Sequence, residues 1–210
     1  MRAVPPMKQK RHIKKLTVDL EELARSHPDK KIELWAEDEA RLGLQPIIRR
    51  QWAAAGQRPE ALHRRAYQWL YAFHFVRPAT GAGYWLLMPE VNTGVMSVAL
   101  QEWVKEINPT GDKLLVLLID QAGWHLSKDL RIPESVVLYP LPAYTPELQP
   151  TECTWPLLRE ALANRLFETW DVFYECVSER CRWMTRNPTV VAARTAWQWL
   201  VQAECIAQSI

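Results

Sequence analysis

The chain has 210 residues, with 26 Lys and Arg against 24 Asp and Glu, a net charge of +2, 48% hydrophobic residues, and 15 Pro against 7 Gly. That length suits one domain, or one domain with an appendage, and the apolar content is ample for a core. The near-neutral balance excludes a polycation, no apolar stretch has the length of a membrane span, and no apolar h-region of a secretion signal follows the basic start.

In chain order, residues 1–15 carry Arg2, Lys8, Lys10, Arg11, Lys14 and Lys15 with no acid before Asp19. They read as a flexible basic arm whose functional use is phosphate contact. A helix over 17–26 follows, with Thr17 as its N-cap and Leu20, Leu23 and Ala24 at helical spacing. His27-Pro28-Asp29 ends it. From Lys31 the period becomes two: Ile32, Leu34, Ala36 and Asp38 alternate with Glu33, Trp35 and Glu37. This predicts a strand with Asp38 on the face of its apolar set and Glu37 and Glu39 on the other. Arg41–Leu44 and Ile47–Trp52 read as further strands of a meander closed by Gly56 and Pro59. Tyr67–Val76 is an aromatic-rich strand that returns through a Pro-Gly turn into Gly83–Met88.

Thr93–Asn108 has helical spacing. Lys113 to His125, KLLVLLIDQAGWH, is the stretch around which the rest is arranged. Its unbroken apolar run from Leu114 to Ile119 predicts a strand buried on both faces. The run ends in Asp120, at the sheet rim where sites form in open α/β folds. A short helix and the strand Ser135–Tyr139 come next. Pro140, Pro142, Pro146 and Pro150 then impose an irregular loop. A helix starts near Thr151, and two more span roughly 170–186 and 189–208, parted by Asn187-Pro188. The predicted order is that of an RNase H-like fold: an α/β domain with a mixed five-stranded sheet, flanking helices and a C-terminal helical extension. The expected division is a basic arm over 1–28, a catalytic core over 29–165, and C-terminal helices over 166–210.

Three acids stand out by position. Asp38 ends the first strand, Asp120 ends the central strand, and Glu152 opens the helix after the proline loop. Each has a plain structural alternative, such as a cap or a first-turn acid facing the helix dipole. Together, at the same end of neighbouring elements, they would repel one another unless a cation is bound. Hard oxygen donors suit Mg²⁺ or Mn²⁺. Two such ions activate a hydroxyl and stabilise the leaving oxygen of a phosphodiester. Arg41, Arg49 and Arg50, with Trp52 and the run His63-Arg64-Arg65, form a basic and aromatic patch suited to phosphate contact. His125 could contact a phosphate or orient a carboxylate. Cys153, Cys176, Cys181 and Cys205 form no CxxC pair and suit reduced thiols. Cys176 and Cys181 lack His partners at zinc spacing and read as buried thiols. Seven Gly and no phosphate-cradling loop argue against a P-loop enzyme.

The segments WAEDEARLGL, LLIDQAGWH and LPAYTPELQPTECTW resemble the DDE transposases of bacterial insertion sequences, in the branch related to the mariner elements. The resemblance spans roughly residues 30–205 and is most specific in the third block, where the prolines, Glu152 and Trp155 fall in register. It implies Asp38, Asp120 and Glu152 as a catalytic, metal-binding triad holding Mg²⁺ or Mn²⁺, two ions in all. The implied reaction cleaves double-stranded DNA at transposon ends and transfers the 3′-hydroxyl strand to target DNA at TA dinucleotides. A homodimer in the cytoplasm, at the bacterial nucleoid, is expected. Gln121 and Gln149 stand where the family usually has Asn. The helix-turn-helix modules that precede the catalytic domain in such proteins have no counterpart before the sheet, so an upstream frame is expected to supply them. Two other readings remain: a hydrolytic nuclease of the same fold, and a decayed or co-opted domain that binds DNA without catalysis.

Overall fold

A computed structural model describes residues 6–45, 47–50, 52–57 and 67–210, with the side chains of 6–10 left aside. His63, Arg64 and Arg65 lie outside the described residues. The sheet has five strands: β1 (Lys31–Gly43), β2 (Trp69–Val76), β3 (Gly83–Met88), β4 (Lys113–Ile119) and β5 (Val136–Pro140). Their spatial order is β3-β2-β1-β4-β5. β1–β2 and β2–β3 pair antiparallel, while β1–β4 and β4–β5 pair parallel. This mixed sheet with flanking helices is the RNase H-like arrangement.

The unbroken run of β4 follows from burial on both faces. Leu114, Val116 and Leu118 enter one core cluster with Ile32, Leu34, Ala36, Trp155, Leu158 and Leu200. Leu115, Leu117 and Ile119 enter the other, with Trp35, Phe73, Phe75 and Trp103. The second cluster is closed by α2 (Thr93–Ile107), whose N-cap Asn92 accepts a hydrogen bond from the Val95 amide. The first is covered by α1 (Pro6–Ser26), α3 (Trp155–Glu160), α4 (Trp170–Arg186), α5 (Pro188–Thr195) and α6 (Gln198–Gln208). Gly81 (φ 72°) makes the β2–β3 turn, and a Cβ there would fall 1.9 Å from the Pro188 carbonyl oxygen. That turn therefore admits glycine alone without displacing α5.

Several expectations change. The front of the chain is not a free arm from residue 6 onward: α1 runs through 6–26 and buries Leu16, Leu20 and Ala24, one residue per turn. Thr17 is not its cap, because the Thr17 hydroxyl bonds back to the Ile13 carbonyl at 3.2 Å inside the helix. Arg41–Gly43 continue β1 instead of starting a new strand, and Ile47 makes only an isolated bridge to Ala163. No helix lies between β4 and β5, where residues 122–134 are turns. The final helix is two, α5 and α6, broken at Ala196 and Trp197. Among the described residues no helix is long and apolar enough to cross a membrane.

The N-terminal half of β1 has no β2 neighbour, since that pairing begins at Ala36 and Val76. α6 supplies the missing partners. The Leu34 amide donates to Glu204 Oε1 at 3.1 Å, and Gln208 Nε2 donates to the Ile32 carbonyl at 2.7 Å. Glu204 also accepts from Arg77 at 2.9 Å, and Arg77 and Lys113 both reach Glu33, at 3.2 and 3.4 Å. A buried backbone edge and two buried carboxylates are satisfied together.

Candidate active site

Parallel pairing brings the first two acids side by side. Ala36 is opposite Leu118, the last pair of the β1–β4 ladder. Two residues further on, the same register sets Asp38 opposite Asp120. Asp38 shares the parity of Ala36 and lies on the face that α3 covers, where Trp155 bonds to it, while Asp120 stands one residue past the end of β4. The loop before α3 is two 3₁₀ turns, Pro146–Leu148 and Pro150–Thr154, and Glu152 sits in the second. Glu152 thus precedes α3 instead of lying in its first turn. The turn fits the sequence: proline at its start lacks a donor, and the Thr154 hydroxyl bonds back to the Thr151 carbonyl at 2.7 Å.

Asp38 is partly buried, and Asp120 and Glu152 are exposed. Burial pushes the Asp38 carboxyl up to about 7, and the charges of Glu152 and Glu39 add to the rise. A hydrogen bond from Trp155 Nε1 to Asp38 Oδ2 at 2.8 Å works the other way. Trp155 is held in turn by an aromatic group. His74, across the β1–β2 ladder from Asp38, stacks on Trp85 with centroids 3.6 Å apart, and Trp155 meets both edge-on. His74 Nδ1 lies 2.9 Å from the Thr154 hydroxyl, and full burial holds this imidazole neutral.

Asp120 has a different support. Its Oδ1 accepts from the Ala122 amide at 2.9 Å and from His125 Nδ1 at 2.8 Å. The His125 bond is the main cause of a carboxyl pKa below the usual range. His125 is only 2% exposed. Its Nε2 lies 3.3 Å from both Glu37 Oε2 and Glu39 Oε1. Burial alone would favour neutral imidazole, but the carboxylates of Asp120, Glu37 and Glu39 around the ring outweigh it and push His125 up to about 12. Glu37 is fully buried and pushed up to about 8 by desolvation, with the charge of Glu39 second.

Asp38 feels the charge of Glu152, while Asp120 is turned toward His125. The three carboxylates do not close within 4.8 Å of one another. Among the described residues, the group whose ligand atoms do so is Glu37, Glu39 and His125, on the opposite side of β1 from Asp38. Of the basic candidates, Arg41, Arg49 and Arg50 are exposed. Arg41 lies over the Trp69 ring at 4.8 Å, and Trp52 is fully exposed. His125 is buried with both ring nitrogens engaged, so the expected DNA contact by this side chain is not available. Cys176 and Cys181 are buried, and burial pushes Cys181 up to about 12.

The two glutamines take on structural ties. Gln149 Nε2 donates to the Glu37 carbonyl at 2.8 Å, fastening the proline loop to β1. Gln121 Nε2 donates to the Leu141 carbonyl at 2.8 Å. The roles of Glu37 and Glu39 were missed in the sequence. Their alternation with Ile32, Leu34 and Ala36 sets them on the face away from Asp38, and only the structure shows Trp124 and His125 meeting them there.

The model of the DDE superfamily endonuclease family matches residues 33–173, a stretch holding all three acids. A protein of Sinorhizobium fredii, y4pE/y4sA, is 39% identical over 106 residues, covering 49% of this chain and 76% of that protein. Among solved structures, the Mos1 mariner paired-end complex with Mn matches with a TM-score of 0.59 at 17% identity, over 97% of this chain and 64% of that one. The catalytic domain of Mos1 mariner transposase matches with a TM-score of 0.54 at 14% identity, over 97% and 96%. The chain thus spans just under two thirds of the longer Mos1 chain and nearly all of its catalytic domain.

Proposed function

Because the chain belongs to the DDE superfamily endonuclease family, we propose that it is the catalytic domain of a DNA transposase. It cleaves phosphodiester bonds at transposon ends and joins the freed 3′-hydroxyl to target DNA, with Asp38, Asp120 and Glu152 as its catalytic carboxylates. One observation carries this reading. The β1–β4 register sets Asp38 beside the end of β4, and the charge of Glu152, from an element far apart in sequence, adds to the rise of the Asp38 carboxyl. Acids gathered at a rim open to solvent carry a cost that a bound cation removes.

The donor set fits Mg²⁺ or Mn²⁺, since all three groups offer hard oxygen atoms and two of them are exposed. When bound, a pair of such ions supplies Lewis-acid activation of the attacking hydroxyl and stabilises the leaving oxygen. The chain's own groups prepare the site. Trp155 orients Asp38 from the apolar side and favours its ionised form. Asp120 stays ionised at neutral pH. Exposed Glu152, on a turn pinned by Thr154 and Gln149, completes the carboxylate set and helps orient the attacking water or hydroxyl.

Arg41, on the strand that bears Asp38, and Arg49 and Arg50, in the segment after it, contact the DNA backbone. Mos1 relatives are found in paired-end and strand-transfer complexes with transposon DNA. On this reading the chain acts on double-stranded DNA as a homodimer at the nucleoid, with TA as target, as the resemblance to the mariner branch implies.

The test is a cleavage and joining assay on supercoiled plasmid and 3′-hydroxyl duplexes with Mg²⁺ or Mn²⁺. Nicked and joined products are expected, both lost in Asp120→Asn. Nicking without joining would favour a hydrolytic nuclease. A folded protein that binds DNA and yields neither product would favour a non-catalytic domain.

A further inference from the structure

Asp120 is the most weakly anchored of the three acids by its own strand. It stands one residue past the end of β4, with its side chain 56% exposed. A carboxylate on such a turn samples several rotamers, and fixing it on binding an ion costs entropy. Two donors restrain it: the Ala122 amide and His125 Nδ1, both on Oδ1. Among the described residues no hydrogen bond engages Oδ2, which leaves that oxygen available as a ligand.

His125 is a rigid donor because its far side is gripped as well. Glu39 Oε1 receives Trp124 Nε1 at 2.9 Å and lies 3.3 Å from His125 Nε2. Glu37 Oε2 lies 3.3 Å from the same nitrogen, and Glu37 is fully buried. The Glu37 backbone is fixed by Gln149. Two acids on the side of β1 facing away from Asp38 therefore set the angle of a ring whose opposite nitrogen holds Asp120.

We infer that His125 is a positioning residue for Asp120, and that Glu39, hydrogen-bonded to its far nitrogen, with the buried Glu37 carboxylate 3.3 Å from the same nitrogen, fixes its ring. The inference rests on the reading of Asp120 as a metal ligand. Outer groups that orient a ligand in this way are worth about 10–100-fold in metal affinity. The arrangement also ties the two sides of β1 together: the side bearing Glu37 and Glu39 holds in place a carboxylate that serves the other.

Two amide variants separate the two ends of the ring. In His125→Asn, the side-chain amide takes the place of Nδ1 and can still donate to Asp120. In His125→Gln, the amide takes the place of Nε2, keeping the contact with Glu37 and Glu39 and losing Asp120. The experiment is Mn²⁺ titration by calorimetry on the whole chain, for wild type, both variants and Asp120→Asn, with metal-free thermal melts of each. The expected result is affinity within a few-fold of wild type for His125→Asn and about 10–100-fold weaker for His125→Gln. With DNA cleavage as a second readout, His125→Gln lowers kcat and leaves KM for DNA unchanged. Equal affinities in the two variants, with binding lost in Asp120→Asn, would overturn the positioning role and leave the metal reading intact. Binding by Asp120→Asn as tight as wild type would overturn the metal reading itself. Loss of one bound equivalent in Glu37→Gln, with the rest unchanged, would place an ion among Glu37, Glu39 and His125 and also overturn the inference.

Discussion

At the N-terminal end of β1, Glu33 and Glu204 meet Arg77 and Lys113. Midway along β1, beside the C-terminal end of β4, Glu37, Asp38, Glu39, Asp120 and Glu152 gather, and among the described residues the one basic side chain paired with any of them is His125, which meets Glu37, Glu39 and Asp120. The first cluster balances two acids with two bases and also satisfies the open edge of β1 through Leu34. It is complete as it stands and serves stability. The second is short of positive charge, and burial holds Glu37 and Asp38 toward their neutral forms. A charge deficit maintained in the middle of a strand, when the same fold balances its start, fits a place where a cation is recruited.

The contrast predicts opposite mutational signatures. Asp38→Asn, Asp120→Asn and Glu152→Gln each reduce DNA cleavage to background while melting like wild type or slightly above it, as gel assays and thermal melts would register. Activity retained in any one would remove that acid from the site. Arg77→Ala does the reverse. It leaves Glu204 and Glu33 short of a partner, costs about 3–5 kcal/mol of stability, and affects cleavage only through the folded fraction. A denaturant titration checks this.

Trp155→Phe keeps an aromatic ring and deletes the donor to Asp38 Oδ2. Removing a bond that favours the carboxylate raises the Asp38 pKa further. The pH of half-maximal metal-dependent cleavage should rise by about one unit, equivalent to about 1.4 kcal/mol. An unchanged profile would mean that this hydrogen bond does not govern the site.

The stability of the metal-free chain gives a subtler distinction. Asp38 has a folded pKa of about 7, above its ordinary value of 3.8. Between those two values the native state binds more protons at this group, so the Asp38 contribution to stability falls as pH rises. Relative to wild type, Asp38→Asn should gain stability from about pH 4 to about pH 7 and no more above that. Melts across this range test the sign, and a gain on lowering the pH would contradict it. The smallest effect belongs to the exposed patch. Arg50→Ala should weaken DNA binding uniformly across sequences and reduce the salt slope by about one.

Much of this was legible because burial on both sides leaves a plain pattern. The run Leu114–Ile119 fits a central strand on composition alone, and the parity of Asp38 against Glu37 follows from alternation. The ends of helices were harder to read. Thr17 resembles a cap, yet its hydroxyl is equally satisfied one turn back inside α1. Charged residues on the exposed face hid the start of that helix. The support behind Asp120 was legible in part: His125 reads as a group that could orient a carboxylate, which its bond to Asp120 matches, but what holds the ring depends on a pairing between residues 86 apart, His125 and Glu39. An acid that alternates with apolar residues looks solvated until the partner that buries it is known. Gln121 and Gln149, departures from the family pattern in the sequence, become intelligible once their carbonyl partners on Leu141 and Glu37 are seen.

The central claim is that the acid-rich middle of β1, beside the end of β4, recruits divalent cations through Asp38, Asp120 and Glu152. Calorimetric titration of the folded chain with Mn²⁺, with and without duplex DNA, tests it most directly. The account predicts saturable binding to wild type that is lost or strongly weakened in Asp38→Asn, Asp120→Asn and Glu152→Gln, and unchanged by Lys113→Ala at the balanced end. No binding by the folded wild type in the presence of DNA, or equal binding by all three acid variants, would contradict it.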